Sequence, residues 1–238
     1  MTEDSPQLGA LVPGWTPPPF AGAETMAGRF ACLNPLRATS HAMPLFDAFK
    51  GYDKLWAYLP YGPFAVAADY AEWVETAGQS TDPLFFAVCD VQTGVALGVA
   101  SYLRIKPDAG SIEVGHICFS PLLQKSLVAT DAMMLMMARA FELGYRRYEW
   151  KCDALNLPSR RAAQRLGFSY EGVFRQAAVV KGRNRDTAWF SVLDSEWPRL
   201  RAVFETWRAP ENFDMSGRQR SRLSALTRPI VTKPDPLL

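Results

Sequence analysis

Residues 111–152 read SIEVGHICFSPLLQKSLVATDAMMLMMARAFELGYRRYEWKC, and this stretch decides the fold. Ile112 to Phe119 has strand character and is stopped by Ser120-Pro121. From about Lys125 to Leu143 the chain is apolar on nearly every side, and a helix without a polar face is a buried one. Gly144 closes that helix as a C-terminal cap. Tyr148, Trp150 and Cys152 then alternate with Arg147, Glu149 and Lys151, the period-two pattern of a strand. A strand–helix–strand unit of this kind pairs its strands in parallel through a right-handed crossover.

Upstream, Leu84–Cys89 and Val95–Ile105 read as strands joined by a turn at Asp90–Gly94, and Lys106–Ser111 is a second turn, so an antiparallel meander leads into the decisive unit. Earlier still come a short strand at Arg29–Leu33 and helices at Ser40–Phe49 and Ala68–Ala77. Downstream, Asn156 is suited to cap a short helix that tolerates Pro158 in its first turn and ends at Gly167. Strands at Tyr170–Val180 and Thr187–Leu193 follow, joined by a turn at Lys181–Asn184, and a helix at Glu196–Trp207 completes the set. The expected fold is therefore α/β of the α+β kind, with a mostly antiparallel sheet, one parallel pair and flanking helices.

Three segments divide the 238 residues. Residues 1–27, with prolines at 6, 13, 17, 18 and 19, read as an extended arm; residues 28–208 form the domain. Residues 209–238, carrying Arg218, Arg220 and Arg222 and then three prolines, read as a solvated basic tail with at most one short helix.

Hydrophobic residues make up 48% and charged residues 21%, which suits a globular core. A net charge of +2 lacks the dense basic footprint of a nucleic-acid binder. The four cysteines form no CxxC pair and there are only two histidines, so neither a disulfide framework nor a metal site is expected. No secretory signal opens the chain and no apolar run is long enough to span a bilayer, so no membrane partner and a cytoplasmic location are expected.

The element order, with Ser111-Ile-Glu-Val-Gly-His-Ile-Cys-Phe-Ser-Pro121, Asn156-Leu-Pro-Ser159 and Leu166-Gly-Phe-Ser-Tyr-Glu-Gly172, resembles the GNAT acetyltransferases, and within them the ribosomal-protein N-terminal acetyltransferase branch. The resemblance spans about Arg29 to Trp207 and is most specific between Ile112 and Gly172. It implies acetyl-CoA as co-substrate, no metal, and an acceptor that is a small amine or a peptide N-terminus; a homodimer is compatible with it. It also implies a bulge near Gly115 that splays two parallel strands, exposing backbone groups of Ile117, Cys118 and Phe119 to the pantetheine arm. The pyrophosphate then falls on Gln124, Lys125, Ser126, Leu127, Val128, Ala129 and Thr130 at a helix start. Leu127 departs from the family pattern, which has glycine there. Asn156 is implied to touch pantetheine, and Ser159 to lie near the thiol.

Acetyl transfer from a thioester needs a neutral amine and a proton for the departing sulfur. Glu113, on the central strand, is the candidate base, with an ion pair to Arg104 as its structural alternative; Ser159 is the candidate acid. Arg160, Arg161 and Arg165 read mostly as a solvated helix face. The stretch Trp56-Ala-Tyr-Leu-Pro-Tyr61-Gly-Pro-Phe64 is aromatic and irregular, and places Trp56, Tyr61 and Phe64 as acceptor-binding candidates or as core. Two other classes stand beside the enzyme: a CoA-binding module without catalysis, and a structural or interaction protein.

Overall fold

The computed structural model describes residues 7–238; the first six residues, Pro6 of the arm among them, lie outside the described range. Eight strands form one sheet in the order β1-β2-β3-β4-β5-β6-β8-β7. They are β1 (Met26–Ala27), β2 (Ala31–Pro35), β3 (Leu84–Asp90), β4 (Ala96–Lys106), β5 (Ser111–Phe119), β6 (Arg147–Asp153), β7 (Ser169–Val180) and β8 (Arg183–Leu193). Every neighbouring pair is antiparallel except β5 with β6. That parallel pair is the one demanded by the strand–helix–strand reading of residues 111–152.

Among the described residues six α-helices accompany the sheet: α1 (Ala38–Phe49), α2 (Ala67–Gly78), α3 (Leu127–Glu142), α4 (Leu157–Arg165), α5 (Trp197–Arg208) and α6 (Leu223–Thr227). The β3 residues show why the sheet needs helices on both sides. Leu84, Phe86 and Val88 pack into the core under α3, whereas Phe85, Ala87 and Cys89 pack into a second core under α1 and α2. A strand buried on both faces reads as a continuous apolar run rather than an alternating one. The α3 helix, its Met133, Met134, Met136 and Met137 all buried, is the centre of the larger core. Each such side chain contributes about 1.5–3 kcal/mol by burial.

Asp131 of α3, fully buried, accepts from the backbone N–H of Phe30 and Ala31 at 2.7 and 3.0 Å and so pins the β1–β2 turn. A side chain at Gly28 would collide with that carboxylate, which explains the glycine.

Both expectations for the ends are amended. Residues 7–14 of the arm are exposed, whereas its later part lies against the domain, where Pro19 accepts from the Tyr145 hydroxyl at 3.1 Å and Glu24 pairs with Arg139. The solvated tail is a correction: Leu223, Thr227, Ile230 and Asp235 are buried. The segment runs back along the start of β7, where Tyr170 N–H donates to Lys233 O at 2.8 Å. Apolar residues at 223, 226 and 230 drive that packing, and the arginines draw the eye away from them. The solvated face assigned to α4 is corrected as well. Arg160 is 1% exposed and makes a two-pronged ion pair with Asp235, both contacts at 2.6 Å.

The terminal hairpin is longer than its polar turn suggested. Val180 pairs with Arg183 across Lys181-Gly182, both at positive φ (50° and 71°), so Arg183 to Asp186 are strand residues. Arg183 and Asn184 read as turn, and Arg185 and Asp186 as no element, because that end of the hairpin is largely exposed, which removes the polar–apolar alternation.

Candidate active site

The site begins where β5 and β6 part. They pair from Ser111↔Arg147 to Val114↔Trp150 and no further, while β6 continues along β8 to Asp153. On the other side β5 stays on β4, but Val99 faces Cys118 and Ser101 faces Gly115, so β5 carries one extra residue. This is a bulge, which bends a strand and ends its pairing. Its positive φ, 50°, falls on His116 rather than on the expected Gly115. Gly115 has a different cause, since a Cβ there would stand 2.9 Å from Leu103 Cδ2. Ile117 to Phe119 consequently have β4 on one side and no strand on the other.

One mouth of the gap faces the start of α3. Lys125 turns the chain at φ 60°, and Ser126 caps the helix by accepting from Ala129 N–H at 3.0 Å. The next two amides, of Leu127 and Val128, donate to nothing among the described residues. Free amides at a helix start suit an anion, and Leu127 keeps helical geometry with its side chain packed on the core, so the missing glycine leaves them in place. The side-chain donors are fewer than the sequence suggested. Ser126 Oγ donates to Leu123 O at 2.6 Å, Thr130 Oγ1 to Ser126 O at 3.1 Å, and Gln124 Nε2 to Phe119 O at 2.9 Å. Arg165 instead brings charge there, donating to Thr130 Oγ1 at 3.1 Å.

At the gap, Asn156 Oδ1 caps α4 by accepting from Ser159 N–H at 3.1 Å. Ser159 Oγ accepts from Trp150 Nε1 at 3.0 Å. It also meets the Cys152 thiol, whose burial pushes its pKa up to about 11.

The other mouth opens into a cavity of about 590 Å³ between the 55–60 loop, β4, β5, β6 and the terminal hairpin. Leu55, Tyr58, Leu59 and Pro60 line it. Of the three aromatic candidates, Trp56 (3% exposed) packs edge-on against Phe49, Tyr61, Phe64 and Tyr70 and belongs to the second core, with Phe64 beside it. Tyr61 serves the cavity indirectly. Its hydroxyl lies 3.1 Å from His116 Nδ1 and its ring stacks on the imidazole at 10°. Lys181 at the hairpin tip donates to the carbonyls of Trp56 and Tyr61 at 2.8 and 3.0 Å, strapping hairpin to loop.

Glu113 lines the cavity but is 2% exposed and doubly paired, to Arg104 and Lys151 at 2.8 Å each. Burial raises its pKa, and the two cations only partly offset this. His116 is held neutral: burial, with Arg104 and Arg185 nearby, lowers its pKa to about 4. His116, Lys151, Arg185 and Trp189 are among the cavity residues that sequence reading left without a role. For Arg185 and Trp189 the signal was period two along β8, since Arg185, Thr187 and Trp189 share one face, and Lys151 Nζ of β6 sits 3.7 Å over the Trp189 ring.

A sheet split lies beside a helix start, with an open cavity on the far side, a layout compatible with an acyltransferase. Residues 31–169 match the family described as Acetyltransferase (GNAT) domain. The chain belongs to that family and is an acyltransferase. A GCN5-related N-acetyltransferase from Brucella melitensis is 46% identical with a TM-score of 0.88, over 91% of this chain and all of that one. An uncharacterized N-acetyltransferase p20 from Bacillus licheniformis is 24% identical over 139 residues, 58% of this chain and 78% of the relative. The fold is also that of the microcin C7 self-immunity acetyltransferase MccE, solved with acetyl-CoA and AMP, at 19% identity and a TM-score of 0.62 over 70% of this chain and 93% of that one. Among the described residues no helix is long and apolar enough to cross a membrane, and no cluster of His, Cys, Asp or Glu is fit to hold a metal.

Proposed function

We propose that this protein transfers the acetyl group of acetyl-CoA to a primary amine by direct attack in a ternary complex. The parting of β5 and β6 beyond Val114 and Trp150, with free amides at one mouth and a cavity at the other, carries this reading. Acetyl-CoA supplies the activated acyl group as a thioester. The open side of Ile117–Phe119 takes the pantetheine amides, and the Leu127 and Val128 amides take the pyrophosphate beside Lys125 and Arg165. The acceptor nitrogen enters from the cavity, its bond to the acyl carbon forming as the carbon–sulfur bond breaks.

His116 is the base in this reading. With Nδ1–H donating to Tyr61, its Nε2 is left with a lone pair for the proton shed by the attacking nitrogen. Glu113 cedes the base role, because Arg104 and Lys151 occupy its oxygens; it holds those cations in position. Ser159, whose oxygen already accepts from Trp150, has its own proton to give to the sulfur. Placement in the ribosomal-protein N-terminal branch rests on the motifs at 156–159 and 166–172. A cytoplasmic location rests on the four free thiols.

The test is thiol release and mass gain with acetyl-CoA and a panel of peptides, amino acids and small amines. A rise in melting temperature with acetyl-CoA is expected as well, since a ligand of the folded state stabilises it. Ser126→Glu, which sets a carboxylate at the pyrophosphate seat, should weaken acetyl-CoA binding tenfold or more; unchanged affinity would remove that seat.

A further inference from the structure

The ionisable wall of the cavity is unbalanced. Arg104, Lys106, Lys151 and Arg185 face two carboxylates, Glu113 and Asp153. Glu113 is occupied by Arg104 and Lys151, and Lys151 is held again by Glu149 at 2.7 Å. Lys106 is exposed and also lacks a carboxylate partner among the described residues, so the half-buried cation left over is Arg185. It is half-buried on the β8 face that lines the cavity, and its Nε donates to Thr187 Oγ1 at 3.3 Å. Its two terminal nitrogens donate to nothing among the described residues, and it has no carboxylate partner there.

Its position is central: Arg185 lines the same cavity as His116 of β5 and Cys152 of β6, the two banks of the gap. A guanidinium partly removed from water and left unpaired loses hydration without Coulombic return. Its planar fork matches an anion held by two parallel hydrogen bonds. The pyrophosphate seat at α3 lies at the other mouth of the gap, so this cation is left for the acceptor.

Building on the acetyltransferase reading, we infer that the acceptor amine also bears an anionic group, a carboxylate or a phosphate, gripped by the terminal nitrogens of Arg185 while the amine faces His116.

The experiment uses the full chain saturated with CoA and product-like probes, so that binding is read without turnover. N-acetylglycine, the α-amide of N-acetylaspartate and N-acetyl-O-phosphoethanolamine are each titrated by calorimetry against a neutral counterpart of the same size. They separate an α-carboxylate, a side-chain carboxylate and a phosphate as the source of the anion. At least one anionic probe should bind at least roughly tenfold tighter than its counterpart, which is about 1.4 kcal/mol. Arg185→Gln should erase that preference while the neutral probe binds as before and the melting temperature holds. In the transfer assay the same variant should raise KM for the matching anionic amine and spare the neutral one. Equal binding of anionic and neutral probes overturns the inference, as does failure of all three anions to bind. An equal fall in kcat for charged and neutral acceptors also overturns it, because that is the mark of a cation acting on the reacting carbonyl. If no amine is acetylated, the proposed reaction falls, and the calorimetric preference still decides the anion site.

Discussion

Asp235 and Glu113 are both buried carboxylates gripped by an arginine, and they serve opposite ends. Asp235 meets Arg160 in a sealed, two-pronged pair, 2% and 1% exposed, with Gln164 holding its backbone N–H at 2.6 Å. Glu113 sits on a cavity wall between two cations, one of which, Arg104, has a side chain 54% exposed. In the first case charge is matched to charge and closed off, which fixes the C-terminal segment to α4. In the second the cations outnumber the carboxylates and leave Arg185 and His116 facing open space. A balanced buried pair serves as an anchor, and an unbalanced one beside a cavity is a candidate site.

Breaking the anchor should have the largest effect. Asp235→Asn leaves the Arg160 guanidinium buried without its counter-charge, and losses of this kind run to about 3–5 kcal/mol. The lower end is expected, because the covering segment is short and can move aside. Denaturant unfolding measures it, and the transfer rate per folded molecule should hold.

At the site the loss should appear in rate. His116→Ala should lower kcat roughly a hundredfold, about 2.7 kcal/mol, with the melting shift from acetyl-CoA unchanged. Glu113→Gln should lower kcat about tenfold at most, since it loosens Arg104 and Lys151 without touching the reacting atoms. A larger loss for Glu113→Gln than for His116→Ala would return the base role to Glu113.

Ser159→Ala comes next, with kcat falling roughly tenfold, the low end of general-acid effects, because a thiolate already leaves readily. An intact kcat would show that the sulfur is protonated from elsewhere.

The smallest effect lies in the acid dependence of stability, and its sign separates the two carboxylates. Burial alone would raise the pKa of Asp235, but the hydrogen bonds from Arg160 outweigh it and hold it low. Its stabilisation is complete above the ordinary aspartate value and fades as pH falls through the depressed one. Glu113, raised by burial beyond what Lys151 and Arg104 offset, acts the other way. It costs stability above its raised pKa, and that cost disappears as pH falls toward the ordinary glutamate value. Unfolding curves across the acid range should therefore be flatter for Asp235→Asn and steeper for Glu113→Gln.

The sequence by itself determined the order of elements and the parallel pair, because periodicity and caps are local signals: apolar faces at 125–143, alternation at 147–152, and the asparagine that caps α4. Resemblance to the acetyltransferases, rather than local pattern, pointed to Ser159 and to the helix start at 127–128. Tertiary structure decided the rest. The bulge moved to His116 because β4 sets the register of β5. Trp56 and Phe64 became core because α1 and α2 close over them. Arg160 became an anchor through a residue 75 positions away, and Arg185 became a free cation because nothing among the described residues answers it across the cavity. Such pairings depend on distance in space between residues far apart in the chain, and no local pattern records them.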